Sequence, residues 1–174
     1  MIVRFAPTRD EMLAFQRHFI KTDPASVRAR KKIVWGAAII YIGVGLLIAY
    51  GNSILFQQIT AIVLFTVIAV LWLIFSPRYI LSASMKRVEQ RLSEKENAMF
   101  FAEREITFSQ ESIRTITEDG EETFRWKAMI KLVETKDSYY LYNSAITALI
   151  LPIRVFTEKQ DEELRTLFAL HHLL

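Results

Sequence analysis

Seven basic residues carry the chemistry most open to a mechanism in this chain. Arg28, Arg30, Lys31 and Lys32 precede a charge-free block, and Arg78, Lys86 and Arg87 follow it. Lysine and arginine beside a bilayer gain on the order of 1 kcal/mol each from anionic lipid. They also set the direction in which a span inserts. Topology alone accounts for Arg28, Arg30, Lys31 and Lys32; recognition of a particular lipid headgroup is the sharper reading of the cluster.

The other groupings that could do chemistry have plainer explanations. His171 and His172 are adjacent, so on a helix their rings leave in different directions and cannot chelate one ion as an i, i+4 pair does. The run Glu118-Asp119-Gly120-Glu121-Glu122 lacks the ligand spacing of a calcium loop and fits a solvated hairpin turn. Tyr139, Tyr140 and Tyr142 could line a pocket, but alternation along a strand explains them. His18 fits a surface side chain. No HExxH, GxSxG or paired metal-ligand spacing occurs, and Gly120 is the only glycine outside the charge-free block, so a glycine-rich phosphate loop is excluded. The chain has no cysteine, which removes thiolate nucleophiles, disulfides and Cys-based metal sites. No catalytic residue, cofactor or metal is expected, and the chain does not read as an enzyme.

What positions the basic residues is the block between them. Ile33 to Ser76 contains no Asp, Glu, Lys or Arg and is interrupted only by the turn-forming Gly51-Asn52-Ser53. A spanning helix needs about 20 mainly apolar residues to cross about 30 Å of hydrocarbon. Residues 33–50 and 54–76 each come close to that length, which predicts a two-helix transmembrane hairpin. Positive charge on both flanks and none in the turn place both termini in the cytoplasm. Trp35 and Trp72 then fall near the inner boundary, Tyr79 just beyond it and Tyr50 near the outer one. The first span starts too late and runs too long for a cleaved leader, and Met1-Ile-Val-Arg-Phe5 lacks a basic n-region, so the span is expected to remain as an anchor.

Inside the hairpin, Gly36 and Gly43 share a helical face, and Gly45 with Ala49 forms a small-xxx-small pair that permits close backbone approach. Packing of the two spans within one chain is the simple use of these residues; a homodimer seam is the alternative. Gln57, Gln58, Thr60 and Thr66 are the polar side chains of the second span, and Thr60 and Thr66 can bond their own helix carbonyls. No carboxylate, Lys, Arg or His lies in the spans to mark an ion or proton path, so a channel or transporter built from one copy is not expected.

The net charge of +3 hides an asymmetry. Residues 1–32 hold eight Lys/Arg against three Asp/Glu, whereas residues 77–174 hold fourteen against sixteen. The basic surplus lies next to the membrane, and the slightly acidic remainder argues against a nucleic-acid partner.

Four segments follow: an N-terminal helix and basic segment (1–32), the hairpin (33–76), a connecting amphipathic helix (77–98) and a closing β domain (99–174). Thr8-Arg9-Asp10-Glu11 is a capping box that predicts a helix from about Arg9 to Lys21, with Met12, Phe15, Phe19 and Ile20 on its apolar face, broken by Asp23-Pro24. Pro77 is expected to kink or end the second span. Leu81, Met85, Val88 and Leu92 then mark one face of a helix over about Arg78 to Glu96. From Met99 the pattern becomes short alternating runs: Ile106–Phe108, Ser112–Thr117, Thr123–Trp126, Met129–Glu134, Ser138–Tyr142 and Ala145–Leu151, with a hairpin signal at Asp119-Gly120. These intervals suit one antiparallel meander. Thr157-x-x-Gln160 opens a closing helix whose face is Leu164, Leu167, Phe168 and His171. The fold class is α+β: a membrane hairpin, a curled antiparallel sheet, and a C-terminal helix closing its open side. Trp126, two residues after Phe124, reads as a core anchor on the same strand face, and Pro152 as the end of the last strand.

Arg4-Phe5-x-x-Thr8-x-Asp10-Glu11-x-x-x-Phe15, the early pair of spans, Thr123-Phe124-Arg125-Trp126, Tyr140-Leu141-Tyr142 and Leu151-Pro152-Ile153-Arg154-Val155-Phe156 together resemble the YcxB-like family of bacterial membrane proteins. The resemblance implies two spans, a C-terminal domain of pleckstrin-homology-like character and a place in the bacterial inner membrane. It implies no catalytic residue. The expected role is a non-enzymatic inner-membrane protein whose cytoplasmic domain is a protein-interaction or regulatory module, with membrane lipid and a second protein as partners. Sensing of anionic lipid, and immunity to a membrane-targeted toxin, are the alternatives.

Overall fold

The computed structural model describes residues 1–173, with the side chains of Lys95 and Glu96 set aside; Leu174, at the end of the expected closing domain, lies outside the described residues. The chain divides into two compact units, Met1–Arg17 with Val88 onward, and His18–Arg87.

The first unit begins with a strand that residue patterning did not show. β1 (Ile2–Phe5) pairs antiparallel with β2 (Arg104–Phe108), setting Val3 opposite Ile106 and Phe5 opposite Arg104. The Met1 amino group closes this ladder on the Phe108 carbonyl at 3.0 Å. β3 (Ser112–Thr117) and β4 (Gly120–Arg125) complete a four-stranded sheet ordered β1-β2-β3-β4. Its β3–β4 turn is Glu118-Asp119, one residue earlier than the expected pair, because Thr117 lies opposite Gly120. Gly120 has φ of +157°, a conformation that L side chains rarely adopt.

A 3-10 turn at Trp126–Ala128 then separates this sheet from a second one, β5 (Lys131–Glu134), β6 (Ser138–Tyr142) and β7 (Ala148–Pro152), ordered β5-β6-β7. The expected single meander is thus two antiparallel sheets. Trp126 is not on the Phe124 strand face, since the chain leaves the ladder at Arg125.

Every residue of β6 is buried. One face, Tyr139 and Leu141, joins a core built from Val3, Ile106, Ile113, Leu151, Leu164 and Phe168 among others. The other face is covered by Phe15 of α1 (Arg9–Thr22), whose ring lies 5.1 Å from that of Tyr140 and 6.1 Å from that of Tyr142. The helix starts where the capping box requires: Thr8 N–H donates to the Glu11 carboxylate at 2.8 Å, and Glu11 N–H to the Thr8 hydroxyl at 3.3 Å. The closing helix α4 (Glu158–Leu170) carries the second capping box, Thr157 with Gln160, and lays Leu164 and Phe168 fully into the core. Burial of such side chains contributes about 1.5–3 kcal/mol each.

The second unit contains α2 (Pro24–Tyr50) and most of α3 (Leu55–Leu92). Both are long and apolar enough to cross a membrane, and most of their apolar surface faces outward: Leu47, Phe56 and Phe75 are all more than half exposed. Asp23 caps α2 by accepting from Ser26 N–H at 2.7 Å, with Pro24 in the first turn, so the basic residues before the first span are already helical. Pro77 neither ends nor divides α3, which runs to Leu92 and absorbs the expected connecting helix. A proline removes a single helical N–H, and the turns on both sides of Pro77 keep theirs. Between the helices, Trp72 Nε1 donates to the Val34 carbonyl at 3.1 Å, and the rings of Tyr41 and Trp72 meet edge to face. Of the glycines, Gly45 is the one at a close approach: a Cβ there would lie 2.7 Å from Cβ of Phe65. Gly36 and Gly43 face open space.

Candidate functional site

The basic cluster falls on two helices of one unit. Arg28, Arg30, Lys31 and Lys32 occupy the early turns of α2, with Arg28, Lys31 and Lys32 at the i, i+3, i+4 spacing of one helical face. Arg78, Lys86 and Arg87 lie on α3 beyond Pro77. All but the half-buried Arg30 are exposed, and among the described residues none of the seven forms an ion pair.

Trp126 and Pro152 are both buried. Trp126 Nε1 donates to the Ser109 carbonyl at 2.9 Å, and its indole stacks on the His171 ring at 4.9 Å and 10°. His171 in turn contacts the Gln110 carbonyl at 2.9 Å through Nε2. Pro152 closes β7 opposite Ser138.

Polar networks elsewhere in the first unit hold elements together. Tyr139 donates to Asp161 at 2.7 Å, and Arg165 joins Asp161 to Glu134, tying α4 to the three-stranded sheet. Burial, and then the bond to Asp161, pushes the Tyr139 phenol up to about 12. Arg154 holds Glu11, linking the turn after β7 to α1. Burial pushes the Glu11 carboxyl up, but the bonds from Arg154 and Thr8 outweigh it and hold the group below its ordinary value.

One region is not explained by such pairing. On the interior face of the four-stranded sheet, Ile106, Phe108, Ile113 and Phe124 give way along the strands to Arg104, Thr115, Thr117 and Glu122. A cavity of about 670 Å³ opens at this polar end. Its far wall is apolar, from Met12 and Phe15 of α1 and Leu149 and Ile150 of β7. Its mouth has exposed Met99, Phe100 and Ile146 on one part and Asp119, Glu121 and Glu122 on another. Three side chains that line it, Arg104, Thr115 and Asn143, each carry a polar atom with neither solvent nor a hydrogen-bond partner.

The YcxB-like resemblance is found in this same unit. Residues 108–168 match the family model described as YcxB-like protein. No curated protein and no solved structure matches the chain. The YcxB-like segment runs from the end of β2 into α4, and so takes in Trp126, Pro152, Thr115 and Asn143. Arg104, β1 and α1 lie before it.

Arg104 and Thr115 were not among the residues singled out by type or spacing. The signal was nonetheless in the strands: Arg104 alternates in phase with Ile106 and Phe108, and Thr115 with Ile113, so each occupies a core-side position.

Proposed function

We propose that this chain is a non-enzymatic bacterial inner-membrane protein whose cytoplasmic domain binds another protein and keeps it at the bilayer. The observation that carries this reading is the β1–β2 ladder, which joins residues from before and after the hairpin into one folded unit. Two segments that share a sheet occupy one compartment, so the apolar helices between them cross the bilayer an even number of times. The basic residues on both flanks make that compartment the cytoplasm. Four strands, then three, then a closing helix support the pleckstrin-homology-like character. β4 ends its sheet, so one side of its backbone is open to an added strand from a partner protein.

Two experiments test the reading. The cysteine-free chain allows Ser53→Cys to be labelled alone. A membrane-impermeant maleimide should modify it from outside intact cells and should not reach Ala25→Cys; the reverse pattern overturns the topology. Affinity purification in mild detergent should recover a reproducible partner from the full chain, and repeated recovery of the protein by itself counts against a protein partner.

Sensing of anionic lipid is the second reading, favoured by the exposed, unpaired state of the basic residues on α3. It predicts that anionic nanodiscs stabilise the chain over zwitterionic ones, that salt erases the difference, and that Arg78→Ala, Lys86→Ala and Arg87→Ala together abolish it.

A further inference from the structure

We infer that the cavity floored by Arg104 and Thr115 is a binding site for a small amphiphilic monocarboxylate, its headgroup on Arg104 and its tail along the exposed apolar mouth.

Arg104 is the first reason. Its guanidinium donates once, from Nη2 to the Phe100 carbonyl at 2.9 Å, and Nε has no partner. Among the described residues no carboxylate pairs with it, unlike Arg4, Arg9, Arg114, Arg154 and Arg165. Burial lowers its pKa. A half-buried guanidinium with no carboxylate paired to it among the described residues is suited to the carboxylate of a ligand. Thr115, 8% exposed with an unpartnered hydroxyl, supplies a further donor among the lining residues.

The mouth sets the rest of the ligand. Met99, Phe100 and Ile146 are 55%, 46% and 70% exposed and come together in the lining of one cavity, whereas the comparably exposed Ile2, Ile130 and Leu170 do not line it. An alkyl or aryl body laid over them leaves water along with the headgroup. Asp119, Glu121 and Glu122 also line the cavity and repel any anion, the two charges of a phosphate monoester more than the single charge of a carboxylate. The volume lies within the range of small-molecule sites, roughly 300–1,000 Å³. This adds a ligand site to the proposed interaction module and does not depend on a protein partner.

The test uses the full chain in zwitterionic nanodiscs with carboxyl-¹³C dodecanoate followed by NMR, against empty nanodiscs. One saturable site per chain is expected, with a carboxyl resonance that stays ionised at pH values where the lipid-dissolved acid protonates. Dodecanol should not compete, and dodecyl phosphate should compete at least about tenfold more weakly. Arg104→Gln should weaken binding about tenfold or more, as loss of a charge-assisted fork does; Arg104→Lys should restore part of it, and Arg87→Gln should change nothing. Ile146→Glu, at an exposed position that tolerates substitution, should weaken binding similarly even if Arg104→Gln does not fold. Absence of a saturable component, equal competition by dodecanol, or wild-type affinity in both Arg104→Gln and Ile146→Glu overturns the assignment.

Discussion

Val3 lies directly opposite Ile106 in the β1–β2 ladder, and both side chains are buried in one core although the two long apolar helices separate them in sequence. The first unit is therefore interrupted by those helices, not appended to them.

This makes the N-terminal strand a structural requirement. Val3 and Phe5 bury about 1.5–3 kcal/mol each, a large share of the roughly 5–15 kcal/mol that stabilises a domain. Residues 88–174 made by themselves should unfold or aggregate. A chain in which a flexible Gly/Ser linker replaces residues 18–87 should give a cooperative thermal transition. Circular dichroism of the two proteins checks this; equal stability removes β1 from the core.

Acid should loosen the junction between α1 and the turn after β7. The Glu11 carboxyl is held below its ordinary 4.5 in the folded chain, so the unfolded chain binds its proton more readily. Its contribution is complete above about 4.5 and is lost as pH falls through the folded value. Glu11→Gln should lower stability by roughly 1 kcal/mol at neutral pH. The difference from wild type should shrink below pH 4, as read by chemical denaturation across that range.

The Tyr139 phenol should ionise above the ordinary tyrosine range. Its phenol is pushed up to about 12 by burial and by the bond to Asp161. A raised folded value gives stability that is present below the ordinary 10.0 and lost as pH rises through about 12. Difference absorbance of phenolate should show one fewer tyrosine titrating between pH 9 and 11 in wild type than in Asp161→Asn; identical titrations count against the bond.

The three glycines within α2 should not be equivalent. Gly45→Ala puts a Cβ 2.7 Å from Cβ of Phe65 and 3.5 Å from the Ala61 carbonyl oxygen, so the helices must shift. A loss of about 1–3 kcal/mol is expected. Gly36→Ala and Gly43→Ala meet nothing within 4 Å and should change stability by no more than about 0.5 kcal/mol. Thermal unfolding of the three variants in one detergent orders them, and equal effects remove the close approach at Gly45.

Arg104 offers a stability test separate from ligand binding. An uncompensated, half-buried guanidinium destabilises the unliganded fold. Arg104→Met should therefore match or exceed wild type by up to about 1–2 kcal/mol in thermal denaturation without ligand. A marked loss would mean that Arg104 is held by contacts other than the Phe100 carbonyl.

The residues legible in sequence were those governed by local rules. The capping boxes at Thr8 and Thr157, the Asp23-Pro24 break and the absence of charge from Ile33 to Ser76 each depend on neighbours within one or two turns, and the elements follow them. Most strands after Met99 were visible because alternation repeats over several residues. Pro77 does not end the helix because its local effect, one missing N–H, is small beside the cooperative helix on either side.

By itself the sequence determined where the two apolar helices run, which residues flank them, and that an antiparallel β region with a capped closing helix follows. Tertiary structure alone decided that Ile2–Phe5 is a strand, that Trp126 leaves the ladder and the strands divide into two sheets, and that Arg104 stands half-buried beside a cavity. Helical and strand periodicity are written in neighbouring residues. A four-residue strand whose partner lies a hundred residues away, or a charge whose counter-ion is absent, is defined only when the chain has brought distant segments together.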